Sequence, residues 1–256
     1  MNKSIKYLNN YINDSIDACI ILGSGLNSFI DVITNKIIID YESIPEFLKT
    51  KVEGHKGQLI IGKIHNSNII CASGRFHYYE GHSFDKIGNI IEIFNYYNPK
   101  VCIITNSSGC LDYKWKLGSL MLANQFIDYS FIDSSSTQFY DYQTKKYFTQ
   151  LLNIAKINNI TINQGAYTFT TGPVYETASE IQDIINIGGK AVGMSTFPEF
   201  LKCQELKIES LVISCLTNYG AGILKDEKIK HEDVLNNAIK YKNDFNKLLI
   251  EFIKSL

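Results

Sequence analysis

Residues 74–81, with the sequence GRFHYYEG, hold the densest group of potentially reactive side chains in the 256-residue chain. Arg75 is the only arginine, and lysine supplies the positive charge elsewhere. A guanidinium presents paired planar donors that match an oxyanion, which a lysine ammonium cannot do. His77 and Tyr79 follow at intervals of two residues, so an extended segment places them on the same face as Arg75. This face suits a phosphate beside a sugar hydroxyl, whereas Glu80 is expected to orient the loop.

Short polar clusters also follow apolar runs at residues 23–25, 106–109, 193–196 and 217–218. In the first cluster Ser24 stands between two glycines, which allow a sharp turn and bring backbone N–H groups close to an anion. Alone, this pattern also fits an ordinary turn. A dinucleotide-binding GxGxxG fingerprint completed by Asp40 is a rival interpretation, but Ser28 occupies its third glycine position. His55, in the loop Gly-His-Lys-Gly, can be a ligand or a solvated loop residue.

These clusters need a framework, and apolar β-branched runs alternate with amphipathic segments along the chain. Strands are predicted at 18–22, 58–64, 68–72, 101–105, 118–127, 162–170, 190–193 and 208–216. Helices are predicted around 84–97, 141–157, 177–187, 196–205 and 231–254. The mixture predicts an α/β fold, a single domain over 1–256 with a mixed, largely buried central sheet flanked by helices. In an open sheet, loops at the carboxyl ends of strands meet at one crevice, so the clusters are expected to form one site.

Composition argues against several kinds of partner. The formal net charge is −1 and the pI is about 6.5, so no overall basic field attracts nucleic acid or an anionic membrane surface. The apolar runs are far shorter than the roughly 20 residues that cross a bilayer, and residues 1–10 lack the apolar core of a signal peptide. A cytoplasmic protein is expected. The six cysteines have no CxxC spacing, which predicts buried free thiols and no metal site.

Seven motifs follow one another between Gly23 and about Ala238: GSGL, GHxG, GRFHxYEG, TNxxG, GPxYET, AVGMSTxPE and TN. In this combination the chain resembles the trimeric, class II-like purine nucleoside phosphorylases, which have a phosphorylase/hydrolase-like fold. The resemblance implies a homotrimer without metal or organic cofactor, in which inorganic phosphate is a co-substrate. It also implies a phosphate site made by Ser24, Arg75, His77, the backbone N–H of Ser107, and Ser195, with His55 closing over the anion.

The same resemblance implies a nucleoside site. Tyr79 and Met194 border the ribose, His231 reaches the 5′-hydroxyl, Tyr175 flanks the base, and Glu176 and Asn218 bind its edge. His77, Glu176 and Asn218 are the residues expected to take part in catalysis. Each residue also has a structural alternative: Met194 can pack in the core, His231 can start a helix, and Asn218 can satisfy loop backbone groups.

The chemistry implied is phosphorolysis of a purine ribonucleoside or 2′-deoxyribonucleoside through an oxocarbenium-like transition state. Asn218 favours 6-oxopurines, because the similar methylthioadenosine phosphorylases carry aspartate at the matching position. Inosine and guanosine are therefore the expected substrates. A methylthioadenosine phosphorylase, a noncatalytic nucleoside-binding protein and a nicotinamide-dependent dehydrogenase are the alternatives.

The chain departs from the family pattern in several places. Asn27 replaces a usual glycine, the TNxxG segment reads TNSSGC, and Ala178 stands where proline is frequent. The largest difference is at residues 129–142, which are short and rich in serine where the family has a longer loop. That loop carries an aromatic side chain to the ribose pocket of the neighbouring subunit. Phe139 and Tyr140 are the candidates for this contact.

Overall fold

Ten strands form one mixed sheet in the computed structural model, which describes residues 3–48, 56–132, 134–141, 146–224 and 242–256. The strands are β1 (Ala18–Leu22), β2 (Thr34–Asp40), β3 (Gln58–Ile64), β4 (Ser67–Ser73), β5 (Val101–Cys110), β6 (Leu120–Asp128), β7 (Gln138–Asp141), β8 (Ile162–Phe169), β9 (Gly189–Gly193) and β10 (Ser210–Tyr219). The helices are α1 (Lys3–Leu8), α2 (Phe84–Tyr96), α3 (Lys146–Ile157), α4 (Ala178–Asn186), α5 (Phe197–Glu205) and α6 (Lys242–Lys254). The predicted α/β class with a mixed central sheet is confirmed.

Strand β1 is central and pairs in parallel with β4 on one side and β5 on the other. Its sequence ACIIL is apolar throughout and all five residues are buried, as expected for a strand with both faces covered. Beyond β4, strands β3 and β2 continue the sheet in antiparallel order to its edge. Because β1 and β4 run in the same direction, Ser24 and Arg75 leave the sheet at the same end.

Strands β5, β10, β6, β8 and β9 pair in a closed ring. The expectation of an open sheet is therefore wrong for this part of the molecule. Strands β5 and β10 pair in parallel as far as Cys110 and Tyr219, well past their predicted ends. The ladder pairs residues 106–109 of β5 with β10, including Asn218, and Thr217 lies at an irregularity inside β10, so these polar residues belong to strands and not to loops.

Side-chain caps begin two of the helices that flank the sheet. The Ser83 hydroxyl accepts a hydrogen bond from the backbone N–H of Lys86 before α2, and Thr177 and Glu180 form a reciprocal capping box before α4. Helices α2, α4 and α5 agree with the prediction to within one residue at each end. The predicted helices 141–157 and 231–254 overlap α3 and α6, and their residues 142–145 and 231–241 lie outside the described part.

Three observed elements, α1, β2 and β7, were not predicted from the periodicity of the sequence. Six of the seven residues of β2 are exposed at the sheet edge, so the alternation of buried and exposed positions that marks a half-buried strand is missing. Helix α1 has six residues and β7 has four, which is too short for a periodic signal. None of the three elements lines the site described below.

All six cysteines are buried free thiols, as predicted. Within the ranges that the structure describes, no three His, Cys, Asp or Glu side chains are grouped so that they could hold a metal ion. No helix in the same ranges has the length and apolar character needed to cross a membrane.

Candidate active site

A cavity of about 130 Å³ is lined by residues at or near the carboxyl ends of β1, β4, β5, β9 and β10. Ten of the twelve predicted site residues line it: Ser24, Arg75, His77, Tyr79, Ser107, Tyr175, Glu176, Met194, Ser195 and Asn218. The other two, His55 and His231, lie outside the described residues. Their contacts with phosphate and the 5′-hydroxyl stay predictions.

The loop after β1 is fastened to β5 by two hydrogen bonds. The backbone N–H of Gly23 donates to Oγ1 of Thr105 over 3.2 Å, and the hydroxyl of Ser107 donates to the carbonyl of Ser24 over 2.7 Å. A Cβ atom on Gly23 would lie 2.6 Å from Cα of Asn106, so a side chain would prevent this approach. The glycine therefore allows Ser24 and Ser107 to share one end of the cavity.

Arg75 lies at this end and is only 2% exposed. Its Nε donates to Oε1 of Glu199 over 3.1 Å. Its Nη1 lies 2.7 Å from the carbonyl of Thr105 and 3.0 Å from the hydroxyl oxygens of both Ser195 and Thr196. Only Nη2 has no protein partner within the described residues. The sequence predicted that the paired guanidinium donors of Arg75 are free for an anion, and this prediction needs correction. Two of the three guanidinium nitrogens already donate hydrogen bonds to other residues of the protein.

Thr196 has an unusual backbone conformation beside Arg75, with φ 77° and ψ −42°. The backbone N–H of Phe197 donates to the carbonyl of Ser195 over 2.8 Å, which closes a tight three-residue turn. A positive φ is costly for a β-branched residue and persists only where its surroundings enforce it. Here Oγ1 of Thr196 accepts from Nη1 of Arg75 and from Nδ2 of Asn106, each over 3.0 Å. These bonds hold the turn that presents Ser195 to the cavity.

His77 and Tyr79 face the same cavity, although their segment is not extended as the sequence argument assumed. A short 3-10 turn over Tyr78–Glu80 follows His77, and the rings of His77 and Tyr79 stack with centroids 4.7 Å apart. Oε1 of Glu80 accepts the backbone N–H of His77 over 2.8 Å and lies 3.2 Å from its Nδ1. The carboxylate of Glu80 thus orients the imidazole of His77. Burial raises the pKa of Tyr79 to about 12, so its phenol stays protonated.

Glu176 and Asn218 line the cavity together with Gly109 and Gly220. Oε1 of Glu176 accepts a hydrogen bond from the hydroxyl of Thr170 over 2.6 Å. Burial raises the pKa of Glu176, and the bond from Thr170 opposes that shift. Oδ1 of Asn218 accepts from the hydroxyl of Thr217 over 3.0 Å, which orients the amide. This end therefore offers a carboxylate and an oriented amide, the groups that read the edge of a heterocyclic base.

Tyr175 and Met194 also line the cavity. Tyr175 is 39% exposed, consistent with a position at the cavity mouth. Met194 packs so closely on the chain that a Cβ atom on Gly172 would lie 2.5 Å from its sulfur. The two aromatic candidates for the neighbouring-subunit contact lie away from this cavity: the ring of Tyr140 packs 5.2 Å from that of Phe197, and Phe139 is 53% exposed.

The rival dinucleotide interpretation fails on strand order. Asp40 ends β2, and β4 and β3 lie between β2 and β1, so this carboxylate is remote from the glycine turn after β1. It accepts instead from Nε2 of Gln58 over 2.9 Å on the neighbouring strand β3. The acidic ribose ligand that a dinucleotide site requires is therefore missing at that turn.

Sequence reasoning did not assign a role to several polar residues that support the site: Thr105, Asn106, Thr170, Thr196 and Glu199. Glu199 and Thr196 belong to a motif that the sequence analysis quoted, and an acidic residue in the first turn of a buried helix is a usable signal. Thr105 and Asn106 begin the quoted TNxxG motif, whereas Thr170 belongs to no motif and its partner is fixed only by the tertiary fold.

Comparison with known proteins agrees with this geometry. The family model described as "Phosphorylase superfamily" matches residues 17–254. Purine nucleoside phosphorylase 1 of Bacillus subtilis is 34% identical over 97% of this chain and 96% of its own length. The enzyme of the same name from Geobacillus stearothermophilus is 36% identical over 93% of this chain and 89% of its own.

Solved structures lead to the same family. Schistosoma mansoni purine nucleoside phosphorylase in complex with inosine has a TM-score of 0.88 at 26% identity and covers 99% of this chain and 95% of its own. A complex of that enzyme with adenosine has a TM-score of 0.87 at 25% identity, covering 99% and 96%. A schistosome complex with guanosine has a TM-score of 0.85 at 26% identity, covering 99% and 95%.

The chain therefore belongs to the phosphorylase superfamily and has the fold of its solved relatives. Within that superfamily it is a purine nucleoside phosphorylase, a pentosyltransferase. This membership decides against a noncatalytic binding protein and against a dehydrogenase.

Proposed function

We propose that the enzyme transfers the pentose of inosine and guanosine, or of their 2′-deoxy forms, to inorganic phosphate. The observation that carries the proposal is the polarity of the cavity. One end has a buried arginine with one nitrogen that lacks a partner in the described part of the chain, and the other has a carboxylate with an oriented amide. An anion and a purine base can occupy the two ends with the sugar between them.

In the proposed reaction, phosphate binds to Nη2 of Arg75, His77, and the hydroxyls of Ser24 and Ser195, near the backbone N–H of Ser107. A phosphate oxygen attacks C1′ while the C1′–N9 bond breaks, and the bonding electron pair leaves with the purine. Positive charge on the sugar is stabilised by the phosphate. The products are pentose 1-phosphate of inverted configuration and a purine that has taken up a proton.

The base end supplies the second half of this stabilisation. Asn218 donates toward the purine where negative charge accumulates, and the Glu176 carboxylate accepts from N1–H of a 6-oxopurine. A 6-aminopurine has no N1–H, so it leaves Glu176 without a donor and is disfavoured. Solved structures of similar enzymes contain inosine, guanosine or adenosine, so they do not distinguish 6-oxopurines from 6-aminopurines. The proposed preference for 6-oxopurines therefore depends on Glu176 and Asn218.

The assembly proposed is a homotrimer in the cytoplasm, with Phe139 reaching the ribose pocket of the neighbouring subunit. Its exposure supports this assignment, whereas Tyr140 is committed to the core of its own subunit. No metal ion or organic cofactor takes part, because the cavity supplies its own cationic and amide donors.

The decisive experiment measures release of free base from inosine, guanosine, adenosine and methylthioadenosine, with and without phosphate. We expect phosphate-dependent release that is fastest from inosine and guanosine. Phosphate-independent release, or a strong preference for methylthioadenosine, would contradict the proposal.

A further inference from the structure

The buried pair of Arg75 and Glu199 has a feature that phosphate binding alone does not explain. Glu199 is the third residue of α5 and only 1% exposed, and its Oε1 accepts from Nε of Arg75. Its other oxygen, Oε2, is buried with no partner among the described residues. A buried carboxylate with an unsatisfied oxygen is costly to maintain. A neutral acceptor such as glutamine could make the same bond to Nε, so the negative charge itself requires a reason.

That charge acts on the guanidinium at the phosphate end of the cavity. The net charge of the pair is zero before an anion binds, so a phosphate approaching Nη2 meets a cation whose field is already partly cancelled. Charges at this separation interact strongly in a poorly solvated interior. The same cancellation acts on pentose 1-phosphate, because that product carries the same phosphate group. Without it, the only arginine of the chain would hold both phosphate and pentose 1-phosphate more firmly.

We propose that Glu199 is a positioning residue with two effects on Arg75. Its bond to Nε holds the guanidinium so that Nη2 remains available to the anion, and its charge lowers the affinity of the site for phosphate and for pentose 1-phosphate. The inference depends on the proposed phosphate site and extends it to product release.

Two variants separate charge from position. Glu199→Gln keeps a carbonyl oxygen for Nε and removes the charge, so calorimetric titration with inorganic phosphate should give a Kd about tenfold lower than in the wild type. Inhibition by ribose 1-phosphate should strengthen in the same direction. Glu199→Asp keeps the charge but draws it back from Nε, so its phosphate Kd should rise.

Glu205→Gln is the matched control. It makes the same charge change on the same helix, but Glu205 is 64% exposed and pairs with Lys202. Its phosphate Kd should stay within about twofold of the wild type, because solvent screens the lost charge.

The direction of the change decides the outcome, because general damage to the site weakens phosphate binding and cannot tighten it. An unchanged or higher Kd in Glu199→Gln overturns the inference. If that variant does not fold, Glu199→Asp decides: a phosphate Kd that rises while the inosine Kd stays unchanged supports positioning, because general damage would weaken both, and any other result overturns the inference. Absence of phosphate binding by the wild type would instead contradict the proposed function.

Discussion

The hydroxyl of Thr170 donates a 2.6 Å hydrogen bond to Oε1 of Glu176. Burial raises the pKa of this carboxyl group above its ordinary value, and the bond from Thr170 is the largest effect that lowers it. The nearby charge of Glu180 acts in the same direction as burial. The ionised state of Glu176, which the proposed contact with N1–H of the base requires, therefore depends on Thr170.

Thr170→Val should raise the pKa of Glu176 further, so activity should be lost at a higher pH as the solution is acidified. We expect the acidic limb of the kcat/KM profile for inosine to move to higher pH. Thr168→Val is the control, since Thr168 is buried in β8 two residues before Thr170 and its hydroxyl has no partner among the described residues. Coincident acidic limbs in Thr170→Val and the wild type would contradict the assignment of Glu176.

Arg75→Lys should weaken the use of phosphate while inosine binding changes little. A lysine has a single side-chain nitrogen, which cannot bind phosphate in place of Nη2 while also donating to Glu199 and to the carbonyl of Thr105. Loss of one or two charge-assisted hydrogen bonds predicts a phosphate KM higher by about 10- to 100-fold. The variant should also unfold more easily, because the lysine ammonium cannot replace all the hydrogen bonds that the guanidinium makes to the protein. Phosphate saturation curves and inosine calorimetry check this, and an unchanged phosphate KM would remove Arg75 from the site.

Asn218→Asp should shift preference toward 6-aminopurines, because a carboxyl group accepts from an amino group and repels the lone pairs of a 6-oxo group when ionised. The measurement is the ratio of kcat/KM for inosine to that for adenosine at saturating phosphate. A constant ratio in a folded Asn218→Asp variant would return Asn218 to a structural role.

Asn218→Ala is the companion variant. Its turnover of inosine should fall by more than the loss of ground-state binding, since the contact strengthens as charge builds on the base.

Activity should persist without divalent ions. The described residues contain no group of His, Cys, Asp and Glu side chains suited to a metal, and the proposed chemistry uses protein donors throughout. Treatment with EDTA followed by assay should leave kcat unchanged. Loss of activity restored by one particular metal would show that the site has been misread.

Phe139→Ala should raise the KM for inosine by about tenfold without changing the phosphate KM, if this side chain closes the neighbouring ribose pocket. Phe131→Ala is the matched control, because Phe131 is 49% exposed and Phe139 is 53% exposed. Sedimentation should show a trimer for both variants. Equal effects of the two substitutions would leave the neighbouring contact unassigned.

Much of the framework could be predicted from the sequence because its signals are local. The strand β1 is a run of five apolar residues and was predicted with its observed bounds. Elements that lack a periodic signal were missed, as the exposed edge strand β2 shows. The polar ends of β5 and β10 were assigned to loops, since their strand character comes from pairing with each other and with β9, which the local sequence does not reveal.

The amino-acid sequence by itself determined the α/β class, the family resemblance and ten of the residues that line the cavity, because motif residues follow apolar strand runs at recognisable spacings. Only the tertiary structure decided how those residues are used. It leaves Nη2 as the one guanidinium nitrogen of Arg75 without a partner among the described residues, and it gives Glu176 its partner Thr170. The physical reason is distance along the chain: Arg75 and Glu199 are separated by 124 residues, and closure of the sheet brings such partners within hydrogen-bonding distance.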